Sequence, residues 1–156
     1  MAIVTVNDSD MKATYAAIAE LKEYFSALAT KKNKVIKYSI RTYGCQLNES
    51  DSEKIAGMMD DMGLKSAGSD ETADLVLLNT CAVRENAEDR LFGNLGEFKV
   101  VKRRNKDLII IVCGCMMKVD QNIEKIKKSF PYVDLMFDPQ QLHLMPAMLW
   151  EKVNKK

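Results

Sequence analysis

Four thiols carry the reactive potential of this chain: Cys45, Cys81, Cys113 and Cys115. A thiol can pack as a small apolar group, attack as a nucleophile, or bind a soft metal as its thiolate. Spacing alone separates these options poorly, because Cys81 comes 36 positions after Cys45, Cys115 comes 34 after Cys81, and no CxxC pair occurs. Context says more. Cys45 follows a run rich in β-branched and aromatic residues, 35–43, and precedes Ser50-x-x-Glu53, which reads as a helix capping box. Cys81 follows the apolar run 73–79, and Cys115 follows the run 108–114. Each of the three therefore sits where a strand passes into a helix. Cys113 differs, lying inside an apolar run, and reads as core.

Those positions require elements to present them. From Val35 onward, short apolar runs alternate with segments of helical period, the pattern of βαβ units. Strands are expected near 35–43, 64–67, 73–79, 108–114 and 133–137. Helices are expected near 51–62, with Ile55, Met58, Met59 and Met62 on one face and Gly63 as terminator, near 84–104 with Leu91, Leu95 and Phe98 as its stripe, and at 120–130. Near the C-terminus, Asp138-Pro139 and Met145-Pro146 offer two helix starts of equal merit. Residues 1–34 read as an N-terminal helical extension and linker, with Met11, Tyr15, Ile18, Phe25 and Leu28 in helical register. The rest, 35–156, reads as one α/β domain: a five-stranded, doubly wound parallel sheet in the flavodoxin- or Rossmann-like order 2-1-3-4-5. That order makes strands 1, 3 and 4 neighbours, so their three cysteine-bearing loops leave one edge of the sheet, at the crevice where such folds bind ligands.

Composition bounds the partners. The 156 residues are 47% apolar and 29% charged, as expected of a globular chain, and 23 basic against 22 acidic side chains leave a net charge of +1. Binding to nucleic acid through bulk charge is thereby excluded, so any such contact needs a local patch. Neither a secretory signal nor a long apolar span is evident, which predicts a cytoplasmic location and argues against a disulfide framework. Core thiols, metal ligands and reactive groups all stay open on these grounds. A four-thiolate zinc site including Cys113 is one geometric alternative. A dinucleotide or P-loop function is disfavoured, since no G-x-G-x-x-G or GxxxxGK[ST] loop ends a strand.

Three blocks go further: TYGCQLNESDSEKI, LLNTCAVRENAEDRLFGNLGEFK and VCGCMMK. In order and spacing they resemble the N-terminal domain of the radical SAM methylthiotransferases, over about residues 35–150. The middle block is most similar to the branch that modifies tRNA and less similar to the branch that modifies a ribosomal protein. The resemblance implies that Cys45, Cys81 and Cys115 ligate an auxiliary 4Fe-4S cluster, with one iron left without a protein thiolate. It also implies transfer of a methylthio group to C2 of N6-isopentenyladenosine at position 37 of tRNA, with threonylcarbamoyladenosine tRNA or a ribosomal protein as alternative substrates. S-adenosylmethionine and a second 4Fe-4S cluster would belong to a radical SAM domain, whose CxxxCxxC motif is absent here, as is an RNA-binding TRAM segment. The chain is accordingly expected to be the first domain of a longer enzyme, with those two domains and tRNA as its partners, and to be inactive alone.

Other polar groups have competing readings. Asn48 and Arg84 flank two of the cysteines and are candidates to hydrogen-bond cluster sulfurs, or else they serve ordinary loop and cap chemistry. Lys102, Arg103 and Arg104 can meet RNA phosphates or simply complement the end of a helix dipole. His143, the single histidine, reads as a surface or loop residue, and the helical methionines as packing.

Overall fold

The structure, a computed structural model, describes residues 8–43, 46–67, 72–80 and 87–155. Five strands, β1 (Lys37–Thr42), β2 (Lys65–Ser66), β3 (Leu75–Thr80), β4 (Ile109–Gly114) and β5 (Leu135–Phe137), form one sheet in the order β2-β1-β3-β4-β5. Every pairing is parallel, as the alternation of elements predicts. All six residues of both β3 and β4 are buried, which explains why these two strands read as unbroken apolar runs rather than as alternating ones.

Helices cover both faces. Leu75, Leu77, Ile109, Ile111 and Cys113 point into a layer with α1 (Asp8–Lys32), α2 (Gln46–Asp61) and α5 (Met145–Asn154). Val76, Leu78, Ile110 and Val112 point into the opposite layer, with α3 (Ala87–Arg104) and α4 (Asp120–Ser129). The expected stripe of α3 is confirmed: Leu91, Leu95 and Phe98 are all buried.

Two helices depart from expectation. The buried face of α1 is Thr14, Ala17, Leu21 and Phe25, whereas Tyr15 is 65% exposed. This helix packs on α5 and contributes to the core, with Tyr24 edge-on to Trp150 at 6.4 Å. Full burial of Leu21 alone is worth about 1.5–3 kcal/mol. In α2 the helix begins at Gln46, so Ser50 stands within it and the expected capping box is not its start. The sequence ahead of Ser50 holds no breaker, and the extra turn is compatible with Ser52 reaching the sheet. Its end is as predicted, at Gly63, whose φ of 84° suits a residue without Cβ.

Both C-terminal helix starts are used. Asp138 accepts from the Gln140 amide at 2.8 Å and donates its own amide to Gln141 Oε1 at 3.2 Å, capping a 3-10 helix over Pro139–Leu144. The helix α5 follows at once.

At the N-terminal edge of the sheet, two aspartates do matching work, each one residue before its strand. Asp74 Oδ2 accepts from the Lys37 amide at 2.9 Å while Oδ1 accepts from Lys34 Nζ at 2.5 Å. Asp134 Oδ2 accepts from both the Ile110 amide and Lys102 Nζ, at 2.9 Å each. The carboxylates thus extend the ladder where a strand backbone has run out of partners. Among the described residues no helix is long and apolar enough to cross a membrane.

Candidate metal centre

The C-terminal ends of β1, β3 and β4 lie side by side. Thr42 is in register with Asn79, Asn79 with Cys113, and Thr80 with Gly114. Neighbouring strands are about 4.8 Å apart, so the chain leaves the sheet at three adjacent points. Cys81 directly follows Thr80, Cys115 directly follows Gly114, and Cys45 comes three residues after Thr42. Cys45, Cys81 and Arg84 lie outside the described residues. Asn48 lies in the first turn of α2, where the backbone alone is described.

Cys115 opens a 3-10 turn, Cys115–Lys118, and is partly exposed at this edge. Met116 and Met117 beside it are buried, walling the turn on its inner side. Cys113 is 2% exposed and faces the α1, α2 and α5 layer. Burial above all, and the Asp51 carboxylate second, push its thiol well above the ordinary range, so it stays protonated. A metal-binding thiolate at this position would have to leave the core, which disfavours the four-thiolate zinc alternative. A partly exposed thiol at a sheet edge, backed by apolar side chains, suits a soft metal group.

Two features fix the edge. Gly114 has φ 111°, and a Cβ built on it would lie 2.0 Å from the carbonyl oxygen of Thr80 and 2.6 Å from its nitrogen. The β4 backbone thus turns against the end of β3 in a space that no side chain can share. Beneath it, the Thr80 hydroxyl donates to the Cys113 carbonyl at 3.0 Å. On the α2 side, buried Asn79 donates from Nδ2 to Ser52 Oγ at 3.0 Å, Ser52 meets the Thr42 hydroxyl at 2.7 Å, and the Tyr43 amide donates to the Asn79 carbonyl at 2.8 Å. This network joins the last residues of β1 and β3 to α2. Asn79 and Thr80, two polar residues closing an apolar strand, were the available sequence signal for it. Asn79→Ala is expected to lower stability by about 1–3 kcal/mol, the cost of leaving buried partners unsatisfied; urea unfolding of both proteins measures it, and an unchanged midpoint would show the network to be idle.

The basic run divides. Lys102 turns inward, 17% exposed, donating to Asp134 and to the Leu108 carbonyl. A phosphate contact by Lys102 would have to compete with that pairing, whereas Arg103 and Arg104 are exposed. All three sit in the last turn of α3, which leads into the start of β4, the opposite end of that strand from Cys115. His143 is half-buried against α1, its carbonyl accepting from Thr14 Oγ1 at 2.8 Å and its Nε2 lying 3.7 Å from Asp10.

A family described as "Uncharacterized protein family UPF0004" matches residues 37–138. Among curated relatives, a tRNA-2-methylthio-N(6)-dimethylallyladenosine synthase from Alkaliphilus oremlandii is 45% identical over 94% of this chain and 30% of its own length. Proteins of the same name from Acetivibrio thermocellus and Bacillus subtilis are 41% and 42% identical, over 98% and 88% of this chain and 32% and 26% of theirs. The chain therefore spans roughly a third of the length of the curated relatives it matches.

Proposed function

The chain belongs to the UPF0004 family, and we propose that it forms the auxiliary-cluster domain of a tRNA methylthiotransferase acting at C2 of N6-isopentenyladenosine in position 37. One observation carries the reading: the strand ends that precede Cys45, Cys81 and Cys115 are three neighbours in register at one sheet edge. The names of relatives at 41–45% identity point to the same substrate. Held by three thiolates, a 4Fe-4S cluster supplies an iron open to a sulfur species, the source of the transferred group.

The residues of this chain hold that group and shape its surroundings. Cys115, Cys81 and Cys45 provide the thiolates, Met116 and Met117 an apolar wall, and Gly114 the close approach of β4 to β3. Asn48 and Arg84, near two of the ligands in sequence, are assigned to hydrogen-bond sulfur or substrate. Hydrogen abstraction from an unactivated carbon requires S-adenosylmethionine and a second cluster, which in this proposal come from a radical SAM domain of the full-length enzyme, with tRNA gripped in part by a TRAM domain. The 156 residues alone then perform no turnover, and the working compartment is the cytoplasm. Arg103 and Arg104 are the exposed cations of the basic run and are assigned to tRNA phosphates remote from the reacting nucleotide.

Anaerobic reconstitution with iron and sulfide tests this directly. The wild type and Cys113→Ala are expected to take up about four irons with a broad brown absorbance, and Cys45→Ala, Cys81→Ala and Cys115→Ala to lose it. Failure of the wild type to bind iron, or a zinc stoichiometry that depends on Cys113, overturns the assignment.

A further inference from the structure

Cations near the two ends of α3 answer to opposite electrostatics. Arg103 and Arg104 stand in its last turn, where the helix dipole favours positive charge. Arg90 is the fourth residue of the helix, close to the end at which the same dipole disfavours a cation, so helix stability does not account for it. Nor does an ion pair. Among the described residues no carboxylate pairs with Arg90, and the described acids of α3, Asp89 and Glu97, stand exposed at the adjacent position and about two turns away.

What holds Arg90 is an aromatic face. Its guanidinium sits 5.1 Å from the centre of the Tyr43 ring. Tyr43 is 7% exposed and fixed at both ends, its amide donating to the Asn79 carbonyl at 2.8 Å and its hydroxyl accepting from Asn94 Nδ2. One helical turn on from Arg90, Asn94 Oδ1 accepts from Arg41 Nη1 at 3.1 Å, and the Arg41 guanidinium lies over the Phe98 ring, 5.3 Å from its centre. Two guanidiniums are thus held beside one another on the β1 and α3 face, bracketing Asn94. A guanidinium resting on a ring keeps its N–H edge for an acceptor, and its planar fork fits a phosphate through two parallel bonds. Arg90 is exposed and Arg41 half-buried. The pair lies at the C-terminal end of β1, where Thr42 is in register with Asn79, the end at which such sheets take ligands.

We infer that Arg90 binds a backbone phosphate of an RNA strand, with Arg41 supplying the second positive charge of the site. The inference rests on the tRNA reading above, which favours a phosphate over an acidic protein surface. Fluorescence polarisation of a labelled anticodon stem-loop RNA with the 156-residue chain tests it, over a series of salt concentrations starting at about 50 mM. Arg90→Gln is expected to bind about three- to tenfold more weakly at low salt and to reduce the salt slope by about 1, the signature of one lost phosphate contact. Arg90→Lys keeps the charge and loses the fork, so it is expected to keep the slope with intermediate affinity. Arg41→Gln keeps a donor for Asn94 and is expected to weaken binding several-fold. Unfolding midpoints recorded alongside identify a merely structural role, which moves the midpoint and leaves the salt slope alone. Wild-type affinity and slope in Arg90→Gln overturn the inference. Weaker binding of poly-glutamate by Arg90→Gln, with RNA binding unchanged, overturns it in favour of an acidic protein partner. A wild-type chain that binds no RNA at low salt also overturns it, while iron uptake remains the separate measure of the proposed function.

Discussion

Gly114→Ala is expected to disable the cysteine edge. The backbone at this residue, φ 111° and ψ −176°, lies in a region that is essentially restricted to glycine, and strain there costs about 1–3 kcal/mol. Sterics add to this. The new Cβ would lie 2.0 Å from the Thr80 oxygen and 2.9 Å from its carbonyl carbon, inside the 3.0 Å that real Cβ atoms respect. Backbone, not a flexible side-chain tip, is what must move, so β3 and β4 have to part at the Thr80–Gly114 register position. Cys81 and Cys115 are the next residues in the chain after Thr80 and Gly114. A lower urea midpoint, together with failure to take up iron, is the expected outcome; a variant with wild-type iron content would show that this close approach does not serve the site.

Asp134→Ala should destabilise by about 3 kcal/mol or more, through the opposite edge of the sheet. Its carboxylate is 11% exposed and holds two donors, the Ile110 amide and Lys102 Nζ. Removing it leaves a lysine that is only 17% exposed with a carbonyl and no counter-charge, the situation in which breaking a buried pair is costly. It also strips the Ile110 amide, the second of β4, of its side-chain acceptor. Denaturant melts measure the loss. Under the proposed function, iron uptake by the folded fraction should persist, because Asp134 acts at the start of β4, about 20 Å along that strand from Gly114. A change below 1 kcal/mol would place this pair with exposed ion pairs of little worth.

The placement of the three strand ends was legible because it depends on order along the chain. Three cysteines each end an apolar run, and once those runs are strands alternating with helices, the right-handed crossover rule leaves few arrangements. The order β2-β1-β3-β4-β5 then makes the three strand ends neighbours. Burial of Cys113 was legible for the same reason, since it sits inside a run buried on both faces.

The supporting apparatus was hidden, because each part of it depends on a partner distant in sequence. Helical period alone fits Tyr15 to the apolar stripe of α1, yet the face that meets α5 runs through Thr14, Ala17, Leu21 and Phe25, and Tyr15 is left in solvent. Lys102 reads as one of three solvated cations until Asp134, 32 residues away, claims it. Ser50 imitates a helix cap, although the helix that carries Ser52 to Asn79 begins a turn earlier. The sequence by itself determined the strands, their order and the presence of a cysteine after three adjacent ones, since apolar period and chain connectivity are local and chiral constraints. Only the tertiary structure decided which face of a helix is buried, which cation is spoken for and why residue 114 must be glycine. Those outcomes turn on hydrogen bonds, charges and van der Waals contacts a few ångströms long between residues far apart in the chain.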